Sequence, residues 1–136
     1  MLKESILRYK EKGFKLTPQR IAIFEYLDGN TSHPSAEDIY KGVKEKYPTI
    51  SFATVYNTIQ ALRDKGEVLE LMIDSKRRHY DPNVSPHHHT ICMKCNKIGD
   101  MFFDFAEKVV LRDEHLSGFE VLSSQINFYG TCGDCL

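Results

Sequence analysis

The sequence predicts an α+β protein, in which an N-terminal winged helix-turn-helix is followed by a small α/β domain. Four short segments within residues 2–65 space their apolar residues three or four apart, which indicates amphipathic helices. Two strand-like segments follow between residues 67 and 81 and predict a β-hairpin. Residues 83–136 combine strand patterns, one helix pattern and all four cysteines, which predicts a second unit that binds metal.

The first two helices are predicted over residues 2–12 and 18–27, and Gly13 ends the first of them. Thr17 is the expected N-cap of the second helix. Pro18 fits the first helical position, because the N–H that it lacks has no intrahelical partner there. The apolar face that we expect to be buried consists of Ile21, Phe24 and Leu27.

The third and fourth helices are predicted from residue 36 to about 47 and from 52 to 65. Ser35 and Asp38 have the spacing of a capping box, and Ser51 is the expected N-cap of the fourth helix. The third helix is expected to bury Ile39, Tyr40 and Val43, and the fourth to bury Val55, Ile59 and Leu62.

The other face of the fourth helix carries small and polar side chains, which can reach base edges and phosphates of DNA. These are Ser51, Ala53, Thr54, Tyr56, Asn57 and Gln60. The hairpin is predicted as strands 67–73 and 78–81 around a turn with a cationic tip, formed by Lys76, Arg77 and Arg78. In a winged helix the recognition helix enters the major groove and the wing lies beside the backbone. A small domain whose polar face is only solvated would show the same pattern.

The boundary between the two predicted domains, 1–82 and 83–136, lies in a hinge at about 81–86 that contains two prolines. The second domain is predicted to contain strands at 89–93, 98–103 and 119–129. A helix over 104–116 is expected to turn Phe105, Val109 and Leu116 inward. Since about 54 residues form a small core, a metal or a second subunit is expected to stabilise this domain.

Composition indicates a soluble globular protein, with 27% charged and 41% hydrophobic residues. No apolar run approaches the roughly 18 residues that span a bilayer, and the first residues lack a signal-peptide layout, so a cytoplasmic location is expected. Residues 1–82 carry 14 Lys/Arg against 12 Asp/Glu, whereas residues 83–136 carry 4 against 7. The first half is therefore the better candidate for contact with a polyanion.

Two Cys-x-x-Cys pairs, Cys92/Cys95 and Cys132/Cys135, predict a tetrahedral zinc site that stabilises the fold. The site would attach the end of the chain to a strand near the start of this domain, with 36 residues between the two pairs. The alternatives are a redox Cys-x-x-Cys, two unconnected pairs, or iron in the same cage, as in a rubredoxin-like electron carrier. A zinc deaminase is disfavoured because it needs a His-x-Glu sequence, which does not occur in this chain.

His87 and His89 form the start of a second predicted site, because residues two apart in an extended segment point to the same face. Asp81 and Asp100 are near enough in sequence to join them, and His33 is a further candidate from the helical half. Carboxylates beside imidazoles favour Fe(II) or Mn(II) over a closed zinc site. A surface His cluster that binds metal adventitiously is the alternative.

The chain resembles the ferric-uptake-regulator superfamily over nearly its whole length. The matching segments are Leu16-Thr17-Pro18-Gln19-Arg20, His33-Pro34-Ser35-Ala36, Ala53-Thr54-Val55-Tyr56-Asn57, His87-His88-His89 and the two Cys-x-x-Cys pairs. The resemblance implies a homodimeric, metal-dependent repressor with a C-terminal dimerisation domain. It implies a regulatory metal held by His33, Asp81, His87, His89 and Asp100. The expected contacts to a palindromic DNA operator are Arg20, Ser51, Ala53, Thr54, Tyr56, Asn57, Lys76 and Arg77.

Within this family the chain is most similar to the peroxide-responsive repressors. Asp81 stands where the iron sensors tend to have Glu, and Asn57 stands where they usually carry Arg. This similarity implies that Fe(II) reduces peroxide and that His33 and His87 are the ligands oxidised, whereas Mn(II) supports DNA binding and resists peroxide. An iron- or zinc-responsive repressor, which senses metal occupancy only, is the alternative within the family.

Overall fold

The computed structural model describes residues 2–73, 76–103 and 111–136, and it divides into two compact units, Met1–Val84 and Ser85–Leu136. Both units contain helix and strand, so the predicted α+β class is confirmed. Within the described residues, each helix is too short or too polar to cross a lipid bilayer.

Four helices make up most of the first unit. They are α1 (Leu2–Glu11), α2 (Pro18–Leu27), α3 (Ala36–Lys44) and α4 (Phe52–Asp64). The predicted caps are confirmed: the Thr17 hydroxyl accepts from the backbone of Arg20 at 3.2 Å, and Ser35 and Asp38 form a reciprocal capping box. The third helix ends at Lys44, three residues before the predicted end.

The core of the first unit lies between these helices and includes the predicted face of α4 and, from α3, Ile39 and Val43, whereas Tyr40 is only half-buried. Ile39, Val55 and Ile59 are fully buried. The prediction for α2 was partly wrong, because Ile21 is only half-buried while Ile23 is fully buried. Three-residue steps drift around a helix of 3.6 residues per turn, so the buried stripe instead includes Ala22, Ile23, Phe24 and Leu27.

The hairpin of the first unit is shorter than predicted, with β1 at Leu69–Leu71 and β2 at His79–Asp81 in antiparallel register. Its second strand also meets the loop before α3. The backbone N–H of Tyr80 donates to Pro34 O at 2.9 Å, and Ser35 bridges to His79. These bonds place His33 beside the end of β2.

The second unit contains a three-stranded sheet of order β4-β3-β5, with β3 at His88–Cys92, β4 at Ile98–Met101 and β5 at Asn127–Gly130. Strand β4 is antiparallel to β3, and β5 is parallel to it. Of the predicted helix over 104–116, the structure describes a turn, α5, at Asp113–Leu116. Residues 104–110, with Phe105 and Val109, lie outside the described residues, and Leu116 is half-buried.

The prediction of one long strand over 119–129 was wrong, since only Asn127–Gly130 pairs. Asn127 lies opposite His89 in the parallel register, so residue 124 would lie opposite Pro86. A proline has no N–H to donate, and the sheet cannot extend past it on this edge. The alternation of apolar and polar residues over 119–129 therefore predicted a strand, but most of this segment has no neighbouring strand to pair with among the described residues.

Candidate metal centres and nucleic-acid surface

The four cysteine thiols of the second unit come together. Their sulfur atoms all lie within 4.8 Å of one another. The parallel pairing of β3 with β5 explains this, because Cys92 lies opposite Gly130, two residues before Cys132. The chain then turns through a short 3-10 helix at Gly133–Cys135, which brings the second pair close to the first.

The spacing of these thiols fits a single zinc ion. Cys95 Sγ and Cys132 Sγ are 3.7 Å apart, and all four thiols are free of disulfides. A tetrahedron with zinc–sulfur bonds of about 2.3 Å has sulfur–sulfur edges of about 3.8 Å. The predicted cage is therefore geometrically suited to the ion.

Backbone groups prepare one of these thiols to lose its proton. Hydrogen bonds donated by the backbone N–H groups of Cys132 (3.3 Å) and Cys95 (3.5 Å) lower the pKa of the Cys92 thiol to about 6. Hydrogen bonding to the Cys132 thiol raises the pKa of Cys135 to about 12. The thiols of the cluster therefore differ in how readily they lose their protons. A metal ion that binds four thiolates must displace the protons that remain.

A second cluster in the same unit is built around the carboxylate of Asp100. Its Oδ1 atom lies 3.2 Å from His87 Nε2 and 3.4 Å from His89 Nε2. His89 and Asp100 are paired across β3 and β4. The two imidazole rings are 4.6 Å apart in an edge-to-face arrangement, and both histidines are buried. These donors match the second-domain part of the predicted regulatory site.

Neighbouring groups orient both imidazoles through their Nδ1 atoms. Ser85 O lies 2.7 Å from His87 Nδ1, so the Nδ1–H of His87 donates to it and Nε2 keeps its lone pair. The side-chain amide of Gln125 lies 2.6 Å from His89 Nδ1. Amide oxygen and nitrogen can exchange places by rotation, so the oxygen can accept from that N–H when Nε2 binds a metal.

In the first unit, the side chains of His33 and Asp81 lie next to each other. His33 Nε2 lies 3.4 Å from Asp81 Oδ2, and both side chains are buried. His33 has a φ of 53°, a left-handed backbone that residues other than glycine rarely adopt. The Nδ1–H of His79 donates to His33 O at 2.8 Å and so supports this backbone.

The polar face of α4 is accessible, as predicted for a recognition helix. Tyr56 is 39% exposed, and Ser51, Ala53 and Asn57 are also exposed while Thr54 is half-buried. Arg20 is half-buried at the start of α2 and donates to Lys15 O at 3.2 Å, while Lys76 and Arg77 are exposed.

Two residues of the predicted polar surface are held by other side chains. Gln60 turns toward the hairpin and donates to the Tyr80 hydroxyl at 3.2 Å, and Arg78 binds Glu70 at 2.6 Å. One surface residue was missed by the sequence reasoning. Phe52 is 40% exposed and stacks on Tyr56 with 6.2 Å between ring centroids. An aromatic residue at the first position of a helix, outside its buried stripe, was the available signal.

Comparison with known proteins places these features in one family. The model of the ferric uptake regulator family matches residues 11–129. The peroxide operon regulator of Bacillus subtilis (strain 168) is 40% identical over 134 residues, which cover 98% of this chain and 92% of that protein. The peroxide-responsive repressor PerR of Staphylococcus epidermidis is 38% identical, with 98% and 89% covered.

A solved structure agrees with the sequence relatives. The crystal structure of the Campylobacter jejuni peroxide stress regulator is similar to this chain at a TM-score of 0.68 and 30% identity, covering 99% of each chain. The fold, the motifs and these relatives lead to the same conclusion. The chain belongs to the ferric uptake regulator family, and the sequence relatives named above are peroxide regulators.

Proposed function

We propose that this chain is a metal-dependent transcriptional repressor that binds DNA as a homodimer and responds to peroxide. The observation that carries the proposal is the convergence of the His87 and His89 Nε2 atoms on one oxygen of Asp100. Two buried imidazoles that share a carboxylate form a donor set for a divalent metal. The sequence relatives named as peroxide regulators support the peroxide response.

The four cysteines are assigned a structural zinc ion. Their spacing fits the tetrahedral cage, and a closed set of four thiolates leaves no position for a substrate. Because the ion joins the β3 turn to the end of the chain, it would stabilise a unit with a small core of its own. Sensing is therefore assigned to the other donor set.

The regulatory ion is assigned to His33, Asp81, His87, His89 and Asp100. Three nitrogen and two carboxylate donors favour Fe(II) or Mn(II). The first unit supplies two of these residues and the second unit three, and neither set alone fills the coordination shell of such an ion. We therefore propose that one ion takes ligands from both units. Binding of the ion would then favour one arrangement of the first, DNA-binding unit relative to the second unit of the same chain.

The peroxide response is assigned to oxidation of His33 or His87. A bound Fe(II) ion would supply the one-electron chemistry that splits the O–O bond of peroxide. Over the whole reaction the ligand imidazole would be the reductant, since one peroxide oxygen would be inserted into a ring C–H bond and the other would leave as water. The ring of His87 is held in place, since it stacks on the ring of Phe102 at 5.3 Å between centroids and its Nδ1–H donates to Ser85 O. An oxidised imidazole binds metal poorly, so the regulatory ion would be lost and DNA released. Mn(II) is not oxidised by peroxide in this way and would protect the site.

The macromolecular partners are assigned to different units. The exposed face of α4 and the cationic residues Lys76 and Arg77 are assigned to the operator, with the helix in the major groove. The second unit carries large exposed apolar side chains, including Phe119, Leu122 and Tyr129, and β5 lies at one edge of the sheet formed by the described residues. Exposed apolar side chains of this size are common at protein interfaces, which supports the homodimer. A repressor of this kind acts in the cytoplasm.

The test is an anaerobic DNA-binding titration with a palindromic duplex, selected from a random pool by the Mn(II)-loaded protein. Fe(II), Mn(II) and Zn(II) are added in turn and peroxide follows. We expect Fe(II) and Mn(II) to promote binding, and peroxide to release only the Fe(II) form. Mass spectrometry should then find one added oxygen atom on the peptide that contains His33 or His87.

Two results would overturn parts of this proposal. If peroxide leaves the Fe(II) complex intact and no histidine gains oxygen, the protein senses metal occupancy, as iron- or zinc-responsive members of the family do. If no metal promotes binding to any duplex of the pool, the assignment as a metal-dependent repressor fails.

A further inference from the structure

The carboxylate of Glu70 lies between two guanidinium groups. Its Oε2 atom accepts from Arg63 Nη1 at 2.6 Å, and its Oε1 atom accepts from Arg78 Nη1 at 2.6 Å. Both oxygens of one side chain are thus occupied by cations from different segments. Charge-assisted bonds of this length are among the stronger polar contacts in proteins.

The three residues come from the elements that a winged helix uses on DNA. Arg63 is in the last turn of α4, Glu70 is the central residue of β1, and Arg78 directly precedes β2. A second contact joins the same elements, since Gln60 of α4 donates to the hydroxyl of the buried Tyr80, the cross-strand partner of Glu70. The hairpin is therefore attached to α4 by an ionic contact and a neutral one.

Of the three charged side chains in this contact, that of Glu70 is the most buried. The Glu70 side chain is 11% exposed, whereas those of Arg63 and Arg78 are 35% and 48% exposed. Burial alone would raise the pKa of Glu70, but the hydrogen bonds from the two arginines hold it below its usual range. Glu70 is therefore ionised at neutral pH, close to the predicted DNA surface, where a negative charge opposes phosphate binding.

We propose that Glu70 is a positioning residue for DNA binding, which fixes the hairpin against the recognition helix through its bonds to Arg63 and Arg78. The inference rests on the proposed function, because it takes the α4 face and the hairpin as the DNA surface. It explains why an unfavourable charge stands there. The spacing between helix and wing must match that between groove and backbone, and a bidentate bridge sets this spacing.

Replacing Glu70 by glutamine distinguishes the positioning role from a purely electrostatic effect, because the two predict opposite changes in DNA affinity. Glu70→Gln keeps the side-chain shape and removes one negative charge. If charge alone matters, the variant binds DNA more tightly, because Arg78 and the Nη1 atom of Arg63 become available to phosphates while Arg63 keeps its bonds to Asp64. If Glu70 positions the hairpin, binding weakens, on the order of fivefold for the loss of a partly exposed charge network. Glu11→Gln on the exposed surface of α1 is the matched control, with the same change in charge.

The salt dependence of binding gives a second readout that a loss of fold would not mimic. Each new phosphate contact makes the slope of log K against log salt steeper by about 0.9. We expect Glu70→Gln and Arg78→Gln to weaken binding of the selected duplex while leaving this slope and the melting temperature nearly unchanged. Tighter binding or a steeper slope in Glu70→Gln, or a shallower slope in Arg78→Gln, would overturn the proposal.

Hydrogen exchange tests the bridge even if the protein binds no duplex. In the DNA-free protein, Glu70→Gln should speed amide exchange in residues 69–71 and 79–81 and leave α2 and α3 unchanged. Unaltered exchange in the hairpin would refute the positioning role. Failure of the parent protein to bind DNA, with the expected change in exchange, would refute the proposed function and keep the bridge.

Discussion

Asp100 lies directly opposite His89 on neighbouring antiparallel strands, with 3.4 Å between Oδ1 and Nε2. The register of β3 and β4 creates this contact. A slip of one residue would turn one of the two side chains to the other face of the sheet. The metal-binding chemistry of the second unit thus depends on strand register as much as on residue type.

Replacing Asp100 by asparagine should weaken regulatory metal binding. The amide keeps the size of the side chain but removes the charge that both imidazoles face, so we expect Mn(II) affinity to fall by about 10- to 100-fold. Isothermal titration of the zinc-loaded protein with Mn(II) measures this. Asp113→Asn, at an exposed position in the same unit, should bind Mn(II) like the parent. Equal affinities for both variants would remove Asp100 from the site.

Replacing Cys95 by serine should release zinc and destabilise the second unit. A hydroxyl is a poor ligand for this ion, and the binding energy of a structural zinc is part of the folding energy, so a loss of several kcal/mol is expected. Zinc content and thermal unfolding are the measurements. Met93→Ser, in the same turn but 65% exposed, is the control and should retain both zinc and stability. A zinc-free Cys95→Ser protein that melts with the parent would contradict a structural role.

Glu67 should make the first unit sensitive to acid. This buried carboxylate accepts from Arg8 Nη2 at 2.8 Å and lies 2.6 Å from Lys12 Nζ. Although burial opposes ionisation, bonds from the two cations keep the pKa of Glu67 below its usual value. A lowered pKa means stability that is complete above the unfolded value of about 4.3 and is lost as pH falls through the folded value.

Urea unfolding of Glu67→Gln against pH checks this expectation. We expect the variant to lose about 1–3 kcal/mol at pH 7 and the difference from the parent to shrink below about pH 4. Glu25→Gln removes an exposed pair with Lys46 and should cost below about 1 kcal/mol. A pH-independent difference for Glu67→Gln would show that its ionisation does not stabilise the fold.

Asn57 and Lys76 should affect DNA binding in different ways. Asn57 is exposed on α4, where an amide can read a base edge, so Asn57→Ala should relax the preference at one base pair by about 1–3 kcal/mol. Lys76→Ala should weaken binding to all duplexes and lower the salt slope by about 1. Lys10→Ala, an exposed change on α1, is the control. The assignments fail if Lys76→Ala alters base preference or Asn57→Ala weakens all duplexes equally.

The local features of the fold could be read from the sequence because they depend on neighbours in the chain. The capping box of Ser35 and Asp38 is one example, since its partners are three residues apart and recognise each other's backbone. The two Cys-x-x-Cys pairs are another, because ligand spacing within each pair is a local property. Apolar periodicity likewise predicted the buried stripe of α4.

Contacts between distant segments were decided by the tertiary structure. The residue pattern indicated a cationic hairpin and a polar helix face. Only the folded chain pairs Arg78 with Glu70 and turns Gln60 toward Tyr80. The parallel pairing of β5 with β3 likewise brings Cys132 to Cys95 across 36 residues. The physical reason is that the residue types determine which bonds a segment can make, whereas strand register and packing determine which partner it meets.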